Sequence, residues 1–330
     1  MQTPTRKILA LLCGTALSAA SGATWAQGAA GAFPSKPISI IVPVAAGGGQ
    51  DIEVRFYADR LARNTNWKVL VDAKPGAGST IGTGFVAKAV PDGHTLLSTT
   101  STFTVAPTLY QDLPYNPQKD IAPVVLMSKR ASMLVVHPSV PVRTVQEYIA
   151  YTRANPGKLN FGSSGRGNIT HLAAEWMHVE MKSKATFVYY KGGAPLYVDL
   201  VAGRVDATMS SPLSMVPYIK AGKLRAIGMT SSERVALFPD LPTVAEGGAP
   251  GFEYSYWVGF TTTGGTPAAA INRLNAEFVK VARMPEVVQK LAEDAVQPIG
   301  STPEQFRQHI DSEMKLWTRL TKELGIKMEE

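Results

Sequence analysis

The sequence predicts an α/β protein of two lobes, each a mainly parallel sheet flanked by helices, with the chain crossing between them twice. Three observations predict it. Short apolar runs alternate with stretches at helical spacing over most of the chain, as βαβ units do. Two proline-punctuated connectors, Pro107–Pro123 and Leu237–Glu253, each precede a strand-like run. The length, 330 residues, suits two domains better than one core.

The first element is not part of the fold. Arg6 and Lys7 make a basic start, "ILALLCGTALSAA" is an apolar stretch too short for a permanent membrane span, and Ala26 precedes a cleavage point. Residues 1–26 therefore read as a signal peptide. Leu12 is too bulky for a lipoprotein cleavage box at Cys13, so removal is expected, not lipidation. The only cysteine leaves with it, and loss of Arg6 and Lys7 lowers the net charge from +7 to +5. A cysteine-free exported chain with a large core fits a bacterial periplasm. The mild positive excess attracts small anions. No basic run or basic–aromatic stripe is present, which argues against nucleic acid as a partner.

Strands are expected at Ile38–Val44, Val69–Asp72, Thr95–Ser98, Met133–Val136, Leu159–Ser163, Phe187–Tyr190, Ala207–Met209, Arg225–Met229 and Tyr256–Thr262. Between them, helical faces are expected through Ile52, Phe56 and Leu61, through Ile81, Phe85 and Ala89, through Ile169, Leu172, Ala173 and Trp176, and through Leu196 and Leu200. The tail reads as helices alone, with Ile271, Leu274, Phe278 and Val281 on one face and Phe306, Ile310, Trp317 and Leu320 on another. The connectors are either two interlobe crossings or two long surface loops. As crossings, they make residues 27–127 with 251–330 lobe one and residues 128–250 lobe two.

Several chemistries lack their motifs. Gly47-Gly48-Gly49-Gln50-Asp51-Ile52 misses the last glycine of a dinucleotide fingerprint, and "GAGSTIG" from Gly76 misses by one as well. Gly222-Lys223 is followed by Leu224, so no P-loop exists there. "FGSSGRG", Phe161–Gly167, fails as a nucleophile elbow because Arg166 stands where glycine is needed. His94, His137, His171 and His178 lack metal-ligand spacing. No cofactor, metal ligand or catalytic residue is therefore assigned.

What recurs is a strand, a Gly/Ser/Thr loop and a helix start: Ala45–Asp51, Gly76–Gly82, Thr99–Thr102, Gly162–Asn168 and Lys191–Ala194. A helix N-terminus leaves N–H groups unpaired and carries partial positive charge. Glycine lets a ligand approach that backbone, and hydroxyls add donors. Five such loops converging from two lobes suit a carboxylate or a phosphate.

"FPSKPISIIVPVAAGGGQD", "PGAGSTIGTGFVAKAVPDGHTLL", "NFGSSGRGNITHLAAE", "YYKGGAPLYVDLVAGRVDATM" and "PYIKAGKLRAIGMTSSERVALFPDLPTVAEGGAPGF" resemble the Bug-type receptors of tripartite tricarboxylate transporters. The resemblance runs from about Phe33 to the C-terminus. It implies a periplasmic-binding-protein (Venus-flytrap) clamp that closes on a small organic carboxylate, hands it to membrane permease subunits and catalyses no reaction. A monomer is expected. By motif match, Ala46, Gly47 and Gly48 offer N–H groups to one carboxylate, and Thr80, Thr99 and Thr100 line lobe one or are plain turn residues. Ser163, Ser164, Gly165 and Gly167 act likewise from lobe two, with Asn168 capping the next helix. Arg166 and Lys191 are either cleft cations or solvated loop residues.

Three departures from the family pattern bear on the ligand. Val44 stands where Phe or Tyr is usual and frees volume. Ser210, followed by Ser211, replaces the usual aspartate and removes a partner for an amino group. Val188-Tyr189-Tyr190 adds an aromatic beside a cleft loop. Together they favour a di- or tricarboxylate without an amine, including a bulky aromatic dicarboxylate of the terephthalate kind; each could equally reflect repacking of the core. A ligand sensor for a signalling partner and an exported hydrolase are the alternatives.

Overall fold

Ile38–Val42 (β1) keeps Ile38, Ile40, Ile41 and Val42 out of water, as a strand covered by helices on both faces requires. The computed structural model describes residues 33–325 apart from 45, 48, 111, 167 and 191; the expected signal peptide lies outside the described residues. After β1 come α1 (Gly49–Thr65), β2 (Val69–Ala73), α2 (Thr80–Ala87), β3 (Thr95–Thr100), α3 (Ser101–Leu109) and β4 (Ile121–Ala131). Next are β5 (Met133–Val136), α4 (Val145–Ala154), β6 (Asn160–Ser163), α5 (Ile169–Glu180), β7 (Thr186–Tyr189), α6 (Gly193–Val201), β8 (Ala207–Ser210), α7 (Pro212–Lys220) and β9 (Arg225–Met229). The chain ends with β10 (Ser255–Thr263), α8 (Ala268–Ala282), α9 (Pro285–Glu293), β11 (Val296–Pro298) and α10 (Pro303–Leu324).

These strands form two sheets, ordered β11-β4-β10-β3-β1-β2 and β7-β6-β8-β5-β9. The α/β class and the nine strands read from sequence are present. Each sheet is mixed: β2-β1-β3 and β7-β6-β8 pair in parallel, while β10, β4 and β11, and in the second sheet β5 and β9, are paired antiparallel. The reason is where the chain enters. A strand arriving from the other sheet starts at the edge where the parallel strands end, so it runs against them.

Two strands were not expected. β11 has three residues, and β4 is buried from Ile121 to Ser128, so neither face alternates. Two expected helical faces are turned only partly inward: Leu61 is buried as expected, but other members of both faces are not. Ile52, Ile81 and Phe85 are 61%, 55% and 49% exposed, while α1 buries Val54, Tyr57 and Leu61 and α2 buries Thr83 and Val86. Among the described residues, no helix is long and apolar enough to cross a membrane.

Ala131 pairs with Ser255 in the first sheet, and Met133 pairs with Ser210 and Met229 in the second, so Ser132 alone separates the two. Thr230 locks this junction. Its N–H donates to the Ser132 carbonyl at 2.9 Å, and its carbonyl accepts from the Tyr254 N–H at 2.7 Å. α10 makes a further link: Phe306, Ile310 and Met314 pack in a cluster with Ile41 and Trp257, and Trp317 and Leu320 pack with Trp176 and Phe252.

Candidate functional site

Because Ser132 alone joins β4 to β5, the edges the sheets turn toward each other are fixed by strand direction. In the first sheet β1, β2 and β3 all end at the Ser132 edge, which places the loops after Val42, Ala73 and Thr100 there. In the second, β6, β7 and β8 end at that edge too, bringing Ser163, Tyr189 and Ser210 and the loops that follow. Parallel strands thus deliver the hydroxyl- and glycine-rich loops of both sheets to one junction.

On the first sheet, Val44 is half-buried and Ala46 and Gly47 are exposed at the start of α1. Gly47 has φ of +80°, which a side chain would strain. Its N–H, however, already donates to Asp51 Oδ2 at 2.9 Å. Asp51 also pairs with Arg55 at 2.9 Å, and that bond chiefly holds its carboxyl below the usual range despite burial. An internal carboxylate therefore sits where α1 begins, and Gly47 is not an open donor. Gly48, Gly167 and Lys191 lie outside the described residues.

The threonines divide. Thr80 is buried and its hydroxyl donates to the Ala77 carbonyl at 2.8 Å, closing its own turn. Thr99 is buried and bonded to Thr261 Oγ1 at 2.8 Å, which ties β3 to β10. Thr100 caps α3, accepting from the Thr102 N–H at 3.4 Å, and the Tyr256 hydroxyl leans on it. Thr100 alone of the three stands at the junction edge with a shared hydroxyl.

On the second sheet the loop after β6 is held from within. Asn168 Oδ1 accepts from the His171 N–H at 2.8 Å, capping α5 as the sequence predicts, and its Nδ2 donates to Ser164 Oγ at 3.1 Å. A Cβ at Gly165 would lie 3.0 Å from Asn168 Nδ2, so a larger residue there would press on the capping amide. Ser163 is buried and donates to the Gly165 carbonyl at 3.1 Å. The Arg166 guanidinium is 5.8 Å above the Tyr189 ring. Tyr189 is 43% exposed, and its hydroxyl lies 3.2 Å from His171 Nε2.

Ser210 and Ser211 close β8 and open α7. Ser210 is buried with its Oγ 2.7 Å from Tyr197 Oη, and Ser211 makes no side-chain cap. Tyr197 and Gln50 were missed by sequence reasoning. Gln50 is buried under the α1 start and donates to Ser98 Oγ at 2.9 Å. Gln50 is the second residue of α1 and Tyr197 the fifth of α6, both helices that follow glycine loops, and that placement was the available signal. Among the described residues, no group of three or more His, Cys, Asp or Glu could hold a metal.

The geometry is matched by similarity. The profile of the family described as tripartite tricarboxylate transporter family receptor matches residues 54–326. A UPF0065 protein in the tcbD-tcbE intergenic region of Pseudomonas sp. strain P51 is 37% identical, over 94% of this chain and 92% of its own. Protein BugT of Bordetella pertussis is 32% identical, over 90% of this chain and 91% of its own. Among solved structures, R. palustris Rpa4515 with adipate has a TM-score of 0.76 at 30% identity, covering 90% of this chain and all of that one. The periplasmic binding protein BugD gives 0.73 at 29% identity, covering 90% of this chain and all of that one. MatC from Rhodopseudomonas palustris with bound malate gives 0.71 at 29% identity, over 87% of this chain and 99% of that one. With a family profile spanning residues 54–326 and relatives aligned over nearly their whole length, the chain belongs to the tripartite tricarboxylate transporter receptors, solute-binding proteins of the TctC/Bug type.

Proposed function

We propose that this chain is a periplasmic receptor that closes its two lobes, divided at Ser132 and between Thr230 and Tyr254, about a small organic dicarboxylate, then hands it to the membrane subunits of a tripartite transporter. One observation carries the reading: the parallel strands of both sheets end at the Ser132 junction, so helix-opening loops meet there from two sides. The ligand's carboxylates take the α1 start at Ala46 and Gly48, and the loop from Ser163 to Asn168. Thr100 and Ser210 line the cleft between them.

The adipate and malate bound by two relatives support a diacid. Tyr189 supports an aromatic one, since its half-exposed ring lies beside Arg166 and offers a planar ligand both a face and a cation. A thermal-shift panel of aliphatic, amino and aromatic diacids tests this. Specific binders raise Tm by mass action. Plain or aromatic diacids are expected above aspartate and glutamate, and the reverse ranking overturns the ligand assignment.

A further inference from the structure

α10 changes company along its length, and Glu313 marks the change. Before it, Phe306 and Ile310 pack in a cluster with Ile41 and Trp257; after it, Trp317 packs on Trp176 at 6.1 Å between ring centroids. Glu313 Oε2 accepts from Thr104 Oγ1 on α3 at 2.8 Å and from Trp257 Nε1 on β10 at 2.9 Å. The Trp317 indole approaches the same carboxyl. Oε1 faces His309 Nε2, one turn back, at 3.5 Å. That imidazole nitrogen is buried with no hydrogen-bond partner. A cavity of about 290 Å³ opens beside the pair. Its other titratable walls are Lys129 from β4, with Glu253 and Tyr254 from the segment before β10.

We propose that Glu313 and His309 hold one shared proton, and that this proton sets how firmly α10 straps the two cores together. With the proton on Oε1, the acid faces the His309 Nε2 acceptor, while Oε2 keeps the Trp257 N–H and shares the Thr104 hydroxyl with the Ser101 carbonyl. The imidazole then carries its own hydrogen on Nδ1. Remove the proton, and the mostly buried charge must draw the ring hydrogen from Nδ1 to Nε2 or stand against a lone pair, at a cost in either case.

Burial drives the titration into the neutral range. It pushes Glu313 up to about 7, against the pull of the Trp257 and Thr104 donors and the Lys129 charge. Burial, with repulsion from Lys129, pushes His309 down to about 3, so the ring stays a neutral acceptor. Tyr254 is kept neutral by its own burial. The sign follows. A carboxyl raised from 4.5 binds its proton more tightly folded than unfolded, so its contribution is complete below 4.5 and lost as pH climbs through about 7.

Trp257 and Trp317 flank the carboxyl and report on it by emission. The mature chain is titrated without ligand between about pH 5.5 and 8.5, following tryptophan fluorescence and Tm. The wild type is expected to titrate near neutrality with Tm falling as pH rises. E313Q donates to His309 permanently and should be flat by both measures. H309F removes the ring that meets the carboxyl and should move the midpoint by about one unit or more. A wild type without a transition in that window, or an E313Q midpoint matching it, overturns the proposal. Should E313Q fail to fold, an unshifted H309F midpoint overturns it alone.

Discussion

Thr230 and Ser132 bond each other in both directions at the junction between the sheets. The Thr230 N–H donates to the Ser132 carbonyl at 2.9 Å, and Thr230 Oγ1 accepts from the Ser132 N–H at 2.8 Å. The same hydroxyl donates to the Tyr254 carbonyl at 2.7 Å, so one fully buried side chain ties both passages of the chain between the cores. Thr230→Val keeps the shape and removes the hydroxyl, leaving a buried N–H and a buried carbonyl without partners. The expected loss is about 2–4 kcal/mol in urea unfolding, with Thr230→Ser recovering most of it. A Val variant as stable as the parent would show that the junction does not depend on this hydroxyl.

Asn168 does two jobs from one side chain. Its Oδ1 caps α5, and its Nδ2 fixes Ser164 in the proposed carboxylate loop. Asn168→Asp keeps the cap and loses the Ser164 donor; Asn168→Ala loses both. The alanine variant should cost about 1 kcal/mol and lower Tm by roughly 2 °C. The aspartate variant should keep Tm yet weaken diacid binding, because a negative charge then stands beside the ligand's own. Binding as tight as the parent's in both variants would separate Ser164 from the site.

How much of this was legible beforehand depends on what each segment answers to. β5 and β9 were read to the residue because short, largely apolar runs between turn signals have few other fates. β4 was missed because burial removes alternation, and Pro123 resembles a loop signal; the proline is tolerated where the β4–β10 register shifts. The faces of α1 and α2 were rotated in part, because Ile52, Ile81 and Phe85 look like core residues and stand in solvent instead, although Leu61 is buried as expected. That glycine-rich loops precede the helix starts was legible from the sequence alone. That Asp51 occupies the Gly47 N–H was not, since it depends on how the first turn of α1 closes.

Arg166 and Tyr189 separate charge from shape in the ligand. Arg166→Ala should weaken every diacid about tenfold, the loss of one charge-assisted hydrogen bond. Tyr189→Leu should weaken aromatic diacids about threefold to tenfold and leave adipate unchanged, since only a planar ligand gains from the ring. Calorimetry with terephthalate and adipate reads both. Equal losses for the two ligands in the leucine variant would remove the stacking argument.

Ser210 tests whether the cleft excludes amines by lacking a charge. Its hydroxyl is buried against Tyr197 Oη at 2.7 Å, so an aspartate placed there keeps a donor for one carboxylate oxygen and presents the other. Ser210→Asp should lower plain diacid affinity about tenfold by like-charge repulsion while improving aspartate binding. Tyr197→Phe is the control: it strands the Ser210 hydroxyl, costs about 1 kcal/mol of stability and leaves the ligand ranking alone. If Ser210→Asp weakened aspartate as much as adipate, the serine would be a packing residue, and the preference against amines would have to come from the loops after β1 and β6.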